Sequence, residues 1–292
     1  MTPWFDGFEV EKRRGNGIDL NVRHGGNGPP LLLLHGFPQT HAIWHRVASR
    51  LAQQHFLVMP DLRGYGGSDK PASTPDHTPY SKRTMALDLV ELMRSFGFMR
   101  FFVCGHDRGG RVAHRLALDH PQAVARLMLL DISPTRTMYE RTTMDFATLY
   151  YHWFFLIQPE PLPETLIGAE PGFYLRTKLG GWGSAGTTFF DPRAVAEYER
   201  CFTSAAIHAM CEDYRAAASI DLQHDRENES RQIECPLRVL WGERGVVHRL
   251  FTPLADWQAK AQQPVSGRTM PTGHYIAEEA PDLLADDMLA FF

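Results

Sequence analysis

The sequence predicts an α/β fold: a mostly parallel, doubly wound sheet with a helical cap inserted late in the chain. Three observations carry that expectation. Short apolar strands alternate with helical patterns through the first half and again in the last quarter. A run of aromatics and prolines replaces the alternation between Ser133 and about Glu234. A sharp glycine-flanked turn, Gly105-His106-Asp107-Arg108-Gly109, joins the apolar run Phe101-Phe102-Val103-Cys104 to a helical pattern. The 292 residues, 43% of them hydrophobic, suffice for one large core or for a core with a subdomain.

Taken in order, Phe8 to Arg13 and Gly17 to Arg23 alternate more polar residues and are expected at an antiparallel edge. Pro30 to His35 and Phe56 to Pro60 read as strands, with an amphipathic helix from about His41 to Gln53 between them. A helix near Arg83 to Phe96 leads into the strand Phe101 to Gly105, and the helix after the sharp turn runs through Leu116. Arg126 to Asp131 is the next strand. The alternation resumes at Leu237 to Gly242 and Val265 to Met270, and a closing helix takes the final residues. Between these blocks, Tyr150-Tyr151-His152-Trp153-Phe154-Phe155 is followed by Pro159, Pro161 and Pro163 and then by mainly helical stretches, with no long buried strand. The expected division is therefore residues 1–132 and 235–292 as two parts of one core, with 133–234 as the cap. No internal repeat or low-complexity tract interrupts it.

Composition narrows the function classes. A net charge of −4 provides no general basic field for nucleic acid or an anionic membrane, so an anionic ligand would need local cations. The longest aliphatic run, Leu31 to Leu34, is far too short to span a bilayer. The opening residues, Met1 to Asp6, lack the basic and apolar regions of a signal peptide. Cys104, Cys201, Cys211 and Cys235 show no paired metal-ligand spacing, and reduced thiols in a cytoplasmic protein are the expectation.

The glycine-flanked turn has the pattern of a nucleophile elbow, in which the central side chain stands above the sheet; here that residue is Asp107. A carboxylate needs no base to be nucleophilic and attacks saturated carbon as readily as a carbonyl, leaving an alkyl ester for water to hydrolyse. Carbon–halogen or epoxide chemistry is expected rather than peptide cleavage. The hydrolytic water then needs a base, and His274 follows the last predicted strand, which singles it out among fourteen histidines. The acid that orients the base usually follows the penultimate strand, but the position three residues beyond Gly242 is Gly245. Asp131, at the carboxyl end of the strand after the elbow helix, is assigned that role, with Glu243 as the second candidate. In His35-Gly36-Phe37-Pro38 the Phe37 amide is a candidate oxyanion donor, and the Arg108 amide is the other.

Arg108 and Arg111 follow Asp107 by one and four positions and share a face of the elbow helix. Cations at a helix N-terminus oppose its dipole by roughly a few tenths of a kcal/mol or more each. Holding a substrate carboxylate in their guanidinium forks, with its alpha carbon against Asp107, supplies the reason. A leaving anion needs donors of its own, and His152, Trp153 and Tyr214 in the cap carry ring N–H and O–H groups, although aromatics in a cap more often only pack.

Together, Gly105-His106-Asp107-Arg108-Gly109 with Arg111, His35-Gly36-Phe37-Pro38, Asp131, His152-Trp153 and Gly273-His274 resemble the fluoroacetate (haloacetate) dehalogenases of the α/β-hydrolase fold, from about Phe8 to the C-terminus. The elbow is shared with epoxide hydrolases and haloalkane dehalogenases; the Asp-Arg-x-x-Arg continuation with the His-Trp pair is the more specific part. The resemblance implies Asp107 as nucleophile, His274 as base and Asp131 as its partner. It further implies Arg108 and Arg111 as a carboxylate clamp, and His152, Trp153 and a cap tyrosine as a halide cradle. Tyr214 matches that tyrosine by spacing, with Tyr150, Tyr151 and Tyr198 as alternatives. It implies no metal or organic cofactor, a small anionic haloacid as substrate and a homodimer. The expected activity is hydrolytic dehalogenation of short 2-haloacids through an aspartyl ester. An epoxide hydrolase is the alternative; it would need two donating cap tyrosines and would leave Arg108 and Arg111 without a task. A ligand-binding protein without turnover is the rival of another class, and nucleophile, base and acid together argue against it.

Overall fold

The alternating apolar runs form one eight-stranded sheet in a computed structural model, which describes residues 4–184 and 186–292. Met1, Thr2 and Pro3 of the opening stretch lie outside the described residues. The strands are β1 (Glu9–Gly15), β2 (Ile18–Gly26), β3 (Pro30–Leu34), β4 (Phe56–Pro60), β5 (Phe101–His106), β6 (Val124–Leu130), β7 (Leu237–Gly242) and β8 (Ser266–Met270), in the spatial order β1-β2-β4-β3-β5-β6-β7-β8. β1 and β2 pair antiparallel at one edge, and β2 is antiparallel to β4; every other pairing is parallel.

Burial follows the two-residue period of a strand covered on both faces. Leu32, Leu34, Val103 and Leu129 pack into one core cluster, whereas Leu31, Leu33, Cys104 and Leu130 pack into the other. The helix Lys82–Ser95 lies in the first layer and starts where the Ser81 side chain accepts from the Thr84 amide. The closing helix Pro281–Phe291 lies in the second, with the helix His45–Leu51. The helix expected from His41 is α-helical only from His45, because Thr40 caps the Ala42 amide and tightens His41–Trp44 into a 3-10 turn.

Between β6 and β7 the described residues contain helices and no strand: Thr135–Glu140, Met144–Leu149, His152–Phe155, Leu162–Ala169, Pro171–Leu179, Pro192–Cys201, Ser204–Ala218 and Ile220–Glu227. Pro171 and Pro192 each sit at a first helical position, where the missing N–H costs nothing. We refer to this segment as the cap. No helix among the described residues is long and apolar enough to cross a membrane. Cys104, Cys201 and Cys211 are buried free thiols and Cys235 is half-buried.

Parallel pairing sets the strand ends level. Leu34 of β3 lies beside Gly105 of β5, His106 beside Leu130 of β6, and Gly242 of β7 beside Met270 of β8. The residues just past those ends therefore meet at one rim of the sheet, where open α/β sheets bind ligands.

Candidate active site

Asp107 opens the elbow helix Asp107–Asp119 directly after β5, with a left-handed backbone (φ +48°) that costs about 1–3 kcal/mol for a non-glycine residue. The turn is tight enough that two glycines are needed around it. A Cβ on Gly36 would lie 2.5 Å from the Asp107 Cβ, and one on Gly109 would lie 2.3 Å from the His35 carbonyl oxygen. The Phe37 N–H donates to Asp107 Oδ1 at 2.9 Å. Burial pushes the Asp107 carboxyl upward, but His274, His106, Arg111 and Arg108 together hold it below its usual value, so it stands ionised. The Arg108 amide, in the first turn of the helix, has no intrahelical acceptor and points to the same end.

The neighbouring loop is fixed by a histidine whose tautomer follows from its partners. The Leu62 N–H can only donate, so His35 Nε2 accepts it (3.0 Å). His35 Nδ1 must then carry the proton, which it donates to the Gly36 carbonyl at 3.0 Å. That carbonyl belongs to the peptide whose N–H, on Phe37, reaches Asp107.

His274 and Asp131 meet at the same rim. His274 Nδ1 lies 2.6 Å from Asp131 Oδ2, and Asp131 Oδ1 accepts the Gly242 N–H at 2.9 Å. The carboxylate claims the Nδ1 proton and leaves the Nε2 lone pair free, 4.0 Å from Asp107 Oδ2. Burial pulls the imidazole down, but the hydrogen bond and charge of Asp131, with Asp107 behind it, raise it above its usual value. Gly245, where an acid was looked for and not found, is part of the reason for this arrangement. A Cβ there would come within 3.3 Å of the Asp131 carboxylate, so a second acid would crowd and repel the first. Glu243 is exposed and faces Arg244 instead (3.9 Å).

The two arginines are buried, at 0% and 3% exposure, but their forks are not both open, which corrects the expectation of two guanidinium forks on one ligand. Arg108 already makes a bidentate pair with Asp213 of the cap helix Ser204–Ala218, Nε to Oδ2 and Nη2 to Oδ1, each 2.8 Å. Lys82 and the Tyr65 hydroxyl also bind Asp213, so the carboxylate ties cap to core. Arg111 donates to Ser133 O (3.2 Å) and Thr135 Oγ1 (2.9 Å). One nitrogen of each guanidinium remains without a partner among the described residues, Arg108 Nη1 and Arg111 Nε.

Rings from the cap close over these groups. Arg108 lies over the Tyr214 ring (4.1 Å) and Arg111 over the Trp153 ring (4.6 Å). His152 stacks on Phe37 (5.8 Å) and meets Tyr214 edge-on (5.6 Å). His152 Nδ1, Trp153 Nε1 and the Tyr214 hydroxyl are buried and have no hydrogen-bond partner among the described residues. Burial holds His152 well below the usual histidine range, so its ring is neutral. Of the other tyrosines, Tyr150 packs against His152 and Trp153, Tyr151 turns toward Lys178, and Tyr198 donates to Glu278.

Three residues of the site escaped the sequence reading. Trp182, at φ +58°, packs against His152 (4.7 Å) and His274 (5.1 Å). His106 donates from Nε2 to the His274 carbonyl (2.9 Å) and holds the base loop from below. Asp213 orients Arg108, as above. His106 and Asp213 adjoin residues that were singled out, which is the only signal either gave; Trp182 gave none.

Over residues 29–265 the chain matches the family model described as the alpha/beta hydrolase fold. A fluoroacetate dehalogenase of Burkholderia sp is 46% identical over 279 residues, which is 95% of this chain and 91% of that protein. A soluble epoxide hydrolase of Corynebacterium sp. (strain C12) is 32% identical over 283 residues, 95% of this chain and 94% of that protein. Among solved structures, a protein of Nostoc sp PCC 7120 assigned as an α/β hydrolase superposes with a TM-score of 0.96 at 53% identity, covering 98% of each chain.

Proposed function

The chain belongs to the α/β-hydrolase family and, within it, to the haloacetate dehalogenases; starting there, we propose that it hydrolyses short 2-haloacids such as fluoroacetate and chloroacetate to the 2-hydroxy acid and halide. The observation that carries this reading is the set of buried polar atoms near Asp107 left without partners among the described residues: Arg108 Nη1, Arg111 Nε, His152 Nδ1, Trp153 Nε1 and the Tyr214 hydroxyl. An unsatisfied buried donor costs roughly 1–3 kcal/mol. A substrate with a carboxylate at one end and a halogen at the other would give the cationic and the ring donors one partner each.

In this reading Asp107 Oδ2, which has no donor among the described residues, attacks the alpha carbon as the carbon–halogen bond breaks. The electron pair leaves with the halide toward His152, Trp153 and Tyr214, while Arg108 and Arg111 hold the carboxylate. Asp107 Oδ1, already on the Phe37 N–H, becomes the carbonyl oxygen of the ester. His274 Nε2 takes a proton from water, and the hydroxide adds to the Asp107 carboxyl carbon. The resulting oxyanion sits between the Phe37 and Arg108 amides. Collapse expels the 2-hydroxy acid, which takes the proton back from His274, and the remaining proton leaves with the halide. Esterification also removes the Asp107 charge, one of the causes that raise His274, which favours the neutral imidazole that accepts a proton from water.

An epoxide hydrolase would use the same nucleophile and base, but its neutral substrate would leave Arg108 Nη1 and Arg111 Nε unpaired. Halide release from fluoroacetate and chloroacetate, read by ion-selective electrode, tests the proposal. Release that disappears in Asp107→Asn is expected. No halide from either acid, with turnover of an epoxide, would overturn it.

A further inference from the structure

One buried cation takes no part in this chemistry. Lys178, near the end of the cap helix Pro171–Leu179, is 3% exposed. Its ammonium lies 3.8 Å from the ring centre of Tyr151, 5.2 Å from that of Tyr174 and 5.6 Å from that of Trp182. Burial alone shifts it, down to about 8, with no carboxylate to offset it, so it is still cationic at neutral pH. It makes no hydrogen bond or ion pair with a described residue. Aromatic faces recover part of the hydration an ammonium loses, but they offer its N–H groups no oxygen and no counter-charge. The Tyr174 hydroxyl in the same cage is buried without a partner among the described residues.

The cage reaches from the outside of the cap to the base. Tyr151 is 43% exposed, whereas Trp182 on the other side touches both His152 and His274. The Lys178 carbonyl accepts the Tyr275 hydroxyl (3.0 Å), which ties this helix end to the loop that carries His274. After burial, the Lys178 charge is the next cause of His152 staying neutral. The titratable groups facing the ammonium are thus phenols and a neutral imidazole, and among them no anion.

We infer that Lys178, walled by Tyr151, Tyr174 and Trp182, is a second small-anion position on the cap, between the surface and the Asp107 pocket. Its occupant is a small monovalent anion, either a substrate carboxylate on its way in or a halide on its way out. The site deepens the haloacid reading, because both anions belong to that reaction.

The test uses the intact protein with Lys178→Met and Lys178→Arg. Crystals soaked in bromide should give anomalous density beside the lysine ammonium and beside the arginine, and none in Lys178→Met. Bromide absent from Lys178, or still present in Lys178→Met, would overturn the site. Kinetics with chloroacetate then separate the two occupants. If the carboxylate binds there, Lys178→Met raises KM about tenfold, with kcat and the KM for neutral chloroacetamide nearly unchanged. If the halide binds there, KM holds and inhibition by added bromide weakens about tenfold. A variant that turns over chloroacetate with neither change would overturn the inference. Absence of any turnover in the unaltered protein would instead sink the haloacid reading, and the bromide density would still decide Lys178.

Discussion

The core wall of the pocket and its cap wall are built to opposite rules. On the core wall Asp107, Asp131 and His274 are already engaged. Phe37 holds Asp107, Gly242 and His274 hold Asp131, and His106 holds the His274 carbonyl. Asp107 Oδ2 and His274 Nε2 are left for the proposed chemistry, and Arg108 Nη1 and Arg111 Nε of the elbow helix are left without partners among the described residues. On the cap wall, His152, Trp153 and Tyr214 are as deeply buried but have polar atoms with no partner among the described residues. Buried polar groups in folded proteins are nearly always bonded, so a cluster of exceptions marks a place where a ligand completes the set. In the proposed reading the nucleophile, base and acid are held before substrate arrives, and an anion completes the cap rings together with the two free guanidinium nitrogens.

Removing the base should separate the two walls most sharply. His274→Gln keeps the nucleophile and the donors, so alkylation proceeds while hydrolysis stalls, and steady turnover falls by roughly 10²–10⁴-fold. Peptide mass spectrometry after chloroacetate should find a carboxymethyl ester on Asp107; an unmodified protein would contradict the assigned order of steps.

Tyr214→Phe tests the other wall. Defluorination should fall by roughly 10²-fold, and dechlorination less, because fluoride depends most on donated hydrogen bonds. Folding stability should hold or rise, since the hydroxyl has no partner to lose. A clear drop in Tm would mean that the hydroxyl was bonded after all.

The pH profile gives a smaller effect. Below its raised pKa, His274 is an imidazolium without a free Nε2 lone pair, so kcat limited by ester hydrolysis falls as pH falls. Asp131→Asn removes the principal raising cause, so the acid limb should move to lower pH while the rate on the plateau drops. A limb that stays in place in Asp131→Asn would detach it from the His274–Asp131 pair. The smallest change is expected of Glu243→Gln, an exposed site whose substitution should stay within about 0.5 kcal/mol in both stability and activation free energy.

Legibility in the sequence divides along the same line. The elbow, the His274 loop and the end of β6 could be found because strand–turn–helix signals are local and parallel strands bring their ends to one rim. Even the displaced acid could be traced, since Gly245 left the usual position empty and Asp131 closed the next strand. What the cap does to the core could not be traced. Asp213 captures the Arg108 fork, Trp182 covers His274 and Lys178 is walled by rings only because helices far apart in sequence dock together. No periodicity in the chain encodes that docking.

The most direct test of the central claim is one turnover in heavy-oxygen water, with protein in excess over chloroacetate. An ester on Asp107 predicts that the first glycolate carries an ordinary oxygen taken from the protein and that the Asp107 peptide gains the heavy one. Heavy oxygen in the glycolate with none in the Asp107 peptide would mean that water displaces the halide directly, and Asp107 would not be the nucleophile.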